Sequence, residues 1–201
     1  GLASLSLGRE DFVAARAHYT ALRERQSADV AANLALADIA LAAIVRLSEA
    51  PGADWEELNR ALLTDKALRG RLFGVLGSSL ALGDHLVAHP QSWRLLAGAG
   101  TLPTAEQLRD AFTAAASGAE IARGASSAAS VLRDLYRDRL LVLAALDVAS
   151  TVENEPVLPF VAVGAHLSDL ADAALGAVLT VANRVVCGDD PLPRLAVIAM
   201  G

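Results

Sequence analysis

Apolar positions recur at helical spacing along most of the chain. Phe12, Ala15, Tyr19 and Leu22 fall on one stripe, with Arg23, Glu24 and Arg25 on the wet side, which predicts a helix over 10–26. A second, more buried helix follows over 29–49. "APGADW" breaks it. Asp54 is a good N-cap, and Glu57 three residues on predicts a capping box for a helix reaching residue 63. The next helix is expected to begin at Thr64 and run through "DKALRGRLFGVLG". Ser78 and Ser79 open another, "LALGDHLVAH", which Pro90 ends. "QSWRLLAG" reads as a short helix stopped by glycines, and Thr104 caps "AEQLRDAFTAAA".

The small, polar run over 117–130 reads as a loop or an inserted segment. Two long helices follow, over 129–151 and 161–186, separated by "VENEPVLPF" with its prolines at 156 and 159. The pattern changes at the end. "PRLAVIAMG" has no amphipathic helical period, Val197 and Ile198 are β-branched, and prolines stand at 191 and 193. It reads as a short buried strand, which cannot satisfy its own backbone hydrogen bonds. The expected fold is mainly α, a multi-helix bundle with one short C-terminal β-strand. The expected division is a helical region over 1–190 and the start of a second domain over 191–201.

Composition supports the helical reading. Of the 201 residues 54% are hydrophobic but only 4% aromatic, with Ala and Leu abundant. The net charge of −6 argues against a nucleic-acid partner, which leaves a basic stripe. A single cysteine, Cys187, excludes an internal disulfide and a cysteine-based zinc site; a cytoplasmic location fits both. The start has no basic n-region or cleavable apolar core, and the missing initiator methionine suggests a chain beginning inside a longer one. The most apolar stretch, "ADVAANLALADIALAAIVRL", carries Asp29, Asn33, Asp38 and Arg46, too many polar groups for a membrane span.

Candidate chemistry is sparse. His85 and His89 stand at i, i+4 beside Asp84, a spacing that puts two imidazoles on one helix face. The metalloprotease pattern needs Glu after the first His, where Leu86 stands. His89 precedes Pro90 at a helix end, where a histidine also interacts with terminal carbonyls. Gly77 and Ser78 imitate the opening of a nucleotidyltransferase loop. There Gly-Ser meets a triphosphate and a D-x-D pair holds Mg²⁺. Asp84 comes too soon, and Leu86 replaces the second carboxylate. No lysine follows at P-loop spacing. Asp134 and Arg137, within the run Arg133, Asp134, Arg137, Asp138 and Arg139, read as a solvated helix face or a surface for another domain. Glu153 and Glu155 are turn residues, Trp55 and Trp93 core or interface anchors, and Cys187 a thiol without catalytic neighbours.

Four segments, in order, carry a resemblance: "FGVLGSSLALGDHLVAHPQSW", "LRDLYRDRLLVLAALDVA", "HLSDLADAALGAVLTVA" and "PRLAVIAMG". Together they resemble the amino-terminal region of the bacterial bifunctional glutamine synthetase adenylyltransferase/adenylyl-removing enzymes. "STVENEPVLPF" looks like the actinobacterial branch. In that family a strand much like "PRLAVIAMG" leads directly into Gly-Gly and D-x-D, which carry nucleotide and Mg²⁺. The resemblance implies that the terminal strand is the first of a nucleotidyltransferase domain and that its partners lie after Gly201. It implies a parent enzyme that uses ATP and Mg²⁺ to adenylylate a tyrosine of glutamine synthetase. The same enzyme removes the group by phosphorolysis, under a PII signal protein. No position in 1–201 matches the metal-binding carboxylates, so the expected catalytic, cofactor-binding and metal residues of this chain are none, and it is expected to be inactive alone. The expected partners are glutamine synthetase and PII, with no nucleic acid and no membrane. The alternative reading is a non-catalytic helical scaffold whose Arg133–Arg139 face binds a protein.

Overall fold

A computed structural model describes residues 28–98, 100–118, 125–152 and 157–186. Helices account for nearly all of them: α1 (Ala28–Ser48), α2 (Trp55–Thr64), α3 (Lys66–Ser78), α4 (Leu80–Ala88), a 3₁₀ helix (Pro90–Leu95), α5 (Ala105–Ser117), α6 (Ala125–Val152) and α7 (Phe160–Val186). There is no strand among the described residues. The expected helix over 10–26, the expected strand and the expected second domain over 191–201 lie outside them. The chain divides into two units, Gly1–Leu102 with Leu140–Val163, and Pro103–Arg139 with Gly164–Gly201.

The first unit is built around α1 and α3, which pack against each other. Ile44 and Leu47 of α1 meet Leu68, Leu72, Val75 and Leu76 of α3 in a core completed by Leu58, Leu62, Leu82, Leu86, Trp93 and Leu96. Leu141, Val142, Ala145 and Leu146 join it from the apolar second half of α6. Burying such side chains stabilises the fold by about 1.5–3 kcal/mol each. Gly52, at φ +80°, makes the turn between α1 and α2 in the left-handed region. Gln91 Nε2 donates to its carbonyl at 2.6 Å, tying that turn to the 3₁₀ helix.

Side-chain caps set the helix starts. Asp54 accepts from the Glu57 amide at 3.0 Å. The expected capping box is only half formed, because the Glu57 carboxylate pairs with Arg94 instead. Thr64 ends α2 rather than opening α3, and its hydroxyl donates to Arg60 and Ala61 carbonyls. Asp65 caps α3 by accepting from the Leu68 amide at 2.9 Å. A carboxylate at the N-terminus of a helix adds a favourable interaction with its dipole that Thr64 would not supply. The full capping box belongs to Thr104 and Gln107 at the start of α5.

In the second unit α5 buries Leu108, Phe112 and Ala116, spaced four apart. α7 buries a narrow stripe of His166, Leu170, Ala173, Ala177 and Val181. Arg184 of α7 donates to the Ala116 carbonyl at the end of α5, at 3.4 Å. The expected loop over 117–130 is shorter than the sequence suggests. α6 already begins at Ala125, and Ala128 is buried in its first turns. Alanines among the serines supply helix propensity and a contact surface that composition alone reads as a loop. By length and composition α7 also passes as a membrane span, a test that the core helix of a globular protein passes equally.

Candidate functional site

The sequence points first to the end of α4. Ser79 Oγ accepts from the Leu82 amide at 3.3 Å and starts this helix. One turn before its end comes His85, only 3% exposed. His89 forms the C-cap, and its amide donates to the His85 carbonyl at 2.8 Å. Pro90 has no N–H to extend the ladder, so the chain turns into the 3₁₀ helix. The two imidazole rings lie 4.7 Å apart, tilted by 39°. Asp84 is not with them. Its Oδ1 accepts from Arg46 Nη2 at 2.7 Å on the exposed side of the helix. The structure therefore joins His85 to His89 and separates Asp84 from both.

Gly77 and Ser78 do not form a nucleotide loop. Both belong to the last turn of α3, where Ser78 Oγ donates to the Val75 carbonyl at 3.3 Å. A helix C-terminus presents carbonyls, which repel a phosphate. Gly77 serves packing instead, against the backbone of Leu36 in α1.

The two tryptophans are core residues, as expected. Trp93 is buried, and the Arg94 guanidinium lies 4.9 Å from its ring centroid. Trp55 packs half-buried against the same core. In the charge run, Arg133 and Arg137 are exposed, while Asp134, Asp138 and Arg139 are half-buried. The run is thus less solvated than its spacing suggests. Glu153, Glu155, Cys187 and Gly201 lie outside the described residues.

Sequence reasoning passed over His166. It is 6% exposed, and its Nε2 is enclosed with no hydrogen-bond partner among the described residues. Burial holds its pKa below the ordinary histidine value, with the negative charge of Asp169 acting in the opposite sense. The signal was present: His166 is in phase with Leu170, Ala173 and Ala177 on the buried stripe.

No complete catalytic set arises from these residues. The sequence contains no Asp-x-Asp. Kinship with known proteins is much more informative. The sequence model of glutamate-ammonia ligase adenylyltransferase matches residues 69–201. The chain belongs to the glutamate-ammonia ligase adenylyltransferase family.

Named relatives in this adenylyltransferase family are bifunctional glutamine synthetase adenylyltransferase/adenylyl-removing enzymes. The one from Mycolicibacterium smegmatis is 73% identical over 165 residues, covering 82% of this chain and 16% of its own length. That from Mycobacterium avium is 65% identical over 164 residues, with the same two shares. That from Mycobacterium leprae is 60% identical over 167 residues, 82% of this chain and 17% of its own. The chain thus spans about a sixth of the length of these adenylyltransferases. No solved structure matches it.

Proposed function

We propose that this chain is a helical, non-catalytic segment of a bifunctional glutamine synthetase adenylyltransferase/adenylyl-removing enzyme. The observation that carries this reading is the 73% identity to the Mycolicibacterium smegmatis enzyme over 82% of the chain. The whole protein then moves AMP from ATP to a tyrosine of glutamine synthetase and removes it by phosphorolysis, which yields ADP. Glutamine synthetase is its protein substrate, PII its regulator and the cytoplasm its place. The helices belong to the amino-terminal, adenylyl-removing half, where they support a nucleotidyltransferase domain beginning with the strand over 191–201.

Gly77, Ser78 and Asp84 do not fit an ATP–magnesium site. Such a site needs clustered, ionised carboxylates free to meet the metal. Asp84, the acidic group nearest in sequence to Gly77 and Ser78, is held by Arg46. No step of adenylyl transfer is therefore assigned to a residue here. We read α7 as lying outside the membrane, because His166, Asp169, Asp172 and Arg184 interrupt it.

The test is a segment exchange. The matching 165 residues of the Mycolicibacterium smegmatis enzyme are replaced by this chain. The chimera is expected to adenylylate and deadenylylate glutamine synthetase at rates within a few-fold of the parent. A folded chimera that binds glutamine synthetase but has lost both reactions would overturn the assignment to this enzyme.

A further inference from the structure

We propose that His85 and His89 form a two-imidazole chelate for a divalent transition-metal ion of the zinc class, closing the end of α4. The function proposed above does not use these residues, and the chelate does not depend on it. Helical geometry brings i and i+4 side chains to one face. Here that expectation is met: the ring centroids are 4.7 Å apart, and a ligand nitrogen of one lies within 4.8 Å of one on the other. The 39° tilt means that the rings are not stacked flat, so their lone pairs can converge on a point between them. Two nitrogens bound to one zinc at about 2.0–2.1 Å sit roughly 3.3 Å apart in tetrahedral geometry. Small side-chain rotations close the difference. His85 is buried, while half-buried His89 stands on the cap and provides the way in.

The donor set selects the ion. Two neutral imidazoles suit zinc, nickel or copper(II), whereas magnesium and calcium require oxygen ligands. Asp84 is the neighbouring carboxylate on the same helix, and Arg46 engages it on the exposed side. Arg46 thus keeps Asp84 out of the ligand set. The ion would link the last turn of α4 to the residue at which the chain turns. That corner places Trp93 and Leu96 in the core of the first unit. The chelate is therefore a staple for the corner, not a reaction centre.

The test is titration of the full chain with zinc chloride, followed by calorimetry and thermal melting. The expected result is one ion per chain and a rise of Tm with zinc concentration, as linkage requires of an ion that binds the folded state. His89→Asn should weaken binding by more than the about tenfold that loss of an outer-shell partner costs. His18 and His166 remain in that variant and control for adventitious binding. Equal zinc affinity in wild type and a folded His89→Asn chain would overturn the proposal. Imidazole NMR of the wild-type chain keeps the test decisive if the variant does not fold. Zinc should shift the His85 and His89 signals together; shifts confined to other histidines would refute the chelate.

Discussion

Gly77 of α3 stands directly against the backbone of Leu36 in α1: a Cβ built on Gly77 would lie 3.0 Å from the Leu36 carbonyl oxygen. The obstacle is a main-chain atom, so no side-chain rotation relieves it. Gly77→Ala gains about 1 kcal/mol of helix propensity. Overpacking costs about 1–3 kcal/mol. The expected outcome is a net loss, read as a lower urea midpoint. Gly83→Ala is the control, because its Cβ would meet Leu76 Cδ2 at 3.6 Å and Ala43 Cβ at 3.9 Å, ordinary contacts. Gly83→Ala should be neutral or stabilising by up to about 1 kcal/mol. The two alanines shifting stability in the same direction would contradict the close approach of α1 and α3.

Arg71 is 8% exposed and donates from Nη1 to the Leu96 carbonyl at 3.0 Å. Arg71→Met removes a donor from a buried acceptor, at an expected cost of about 1–3 kcal/mol. The Glu57–Arg94 pair lies nearer the surface, with side chains about two-fifths exposed. Glu57→Gln should cost only about 0–1 kcal/mol. Chemical denaturation of the two variants gives the ranking directly.

Asp65 is the junction of α2 and α3, capping one helix while ending the other. Asp65→Ala should cost about 0.5–2 kcal/mol, and Asp65→Asn much less, since asparagine keeps the accepting oxygen. Equal losses from both would assign the effect to charge rather than to the cap.

His166 makes stability depend on pH. Its folded pKa lies below the unfolded value of about 6.5. Below about pH 6.5 the unfolded chain binds more protons than the folded one, so stability falls as the pH drops through that value towards the folded pKa. Above it both states are neutral and the contribution is constant. Urea midpoints at neutral and mildly acidic pH should separate more in the wild type than in His166→Gln. A pH dependence unchanged by that substitution would show that His166 is already solvated.

The helices were legible because their ends are written in short-range chemistry. Ser79, Thr104 and Pro90 act within one turn of their own positions, and each appears where the sequence placed it. Errors arose where a distant residue decided. Glu57 left its capping box for Arg94, 37 positions away. The small residues before 130 joined α6 because Ala128 finds a buried place, which composition does not encode. The His85–His89 spacing was visible, but their burial and the outward pairing of Asp84 with Arg46 were not. The close approach at Gly77 is likewise invisible locally, since a mid-helix glycine reads only as lost propensity. The family resemblance rested on segments spread over most of the chain, and the match over residues 69–201 bears it out.

The most direct measurement of the central claim is phosphorolytic release of ADP from adenylylated glutamine synthetase. It compares this chain with the full-length Mycolicibacterium smegmatis enzyme. Cooperative unfolding of the chain is checked in the same preparation. Release is expected from the full-length enzyme and not from the folded chain, whose sequence contains no Asp-x-Asp. Release by the chain alone would contradict that claim, and would place an active site among these helices.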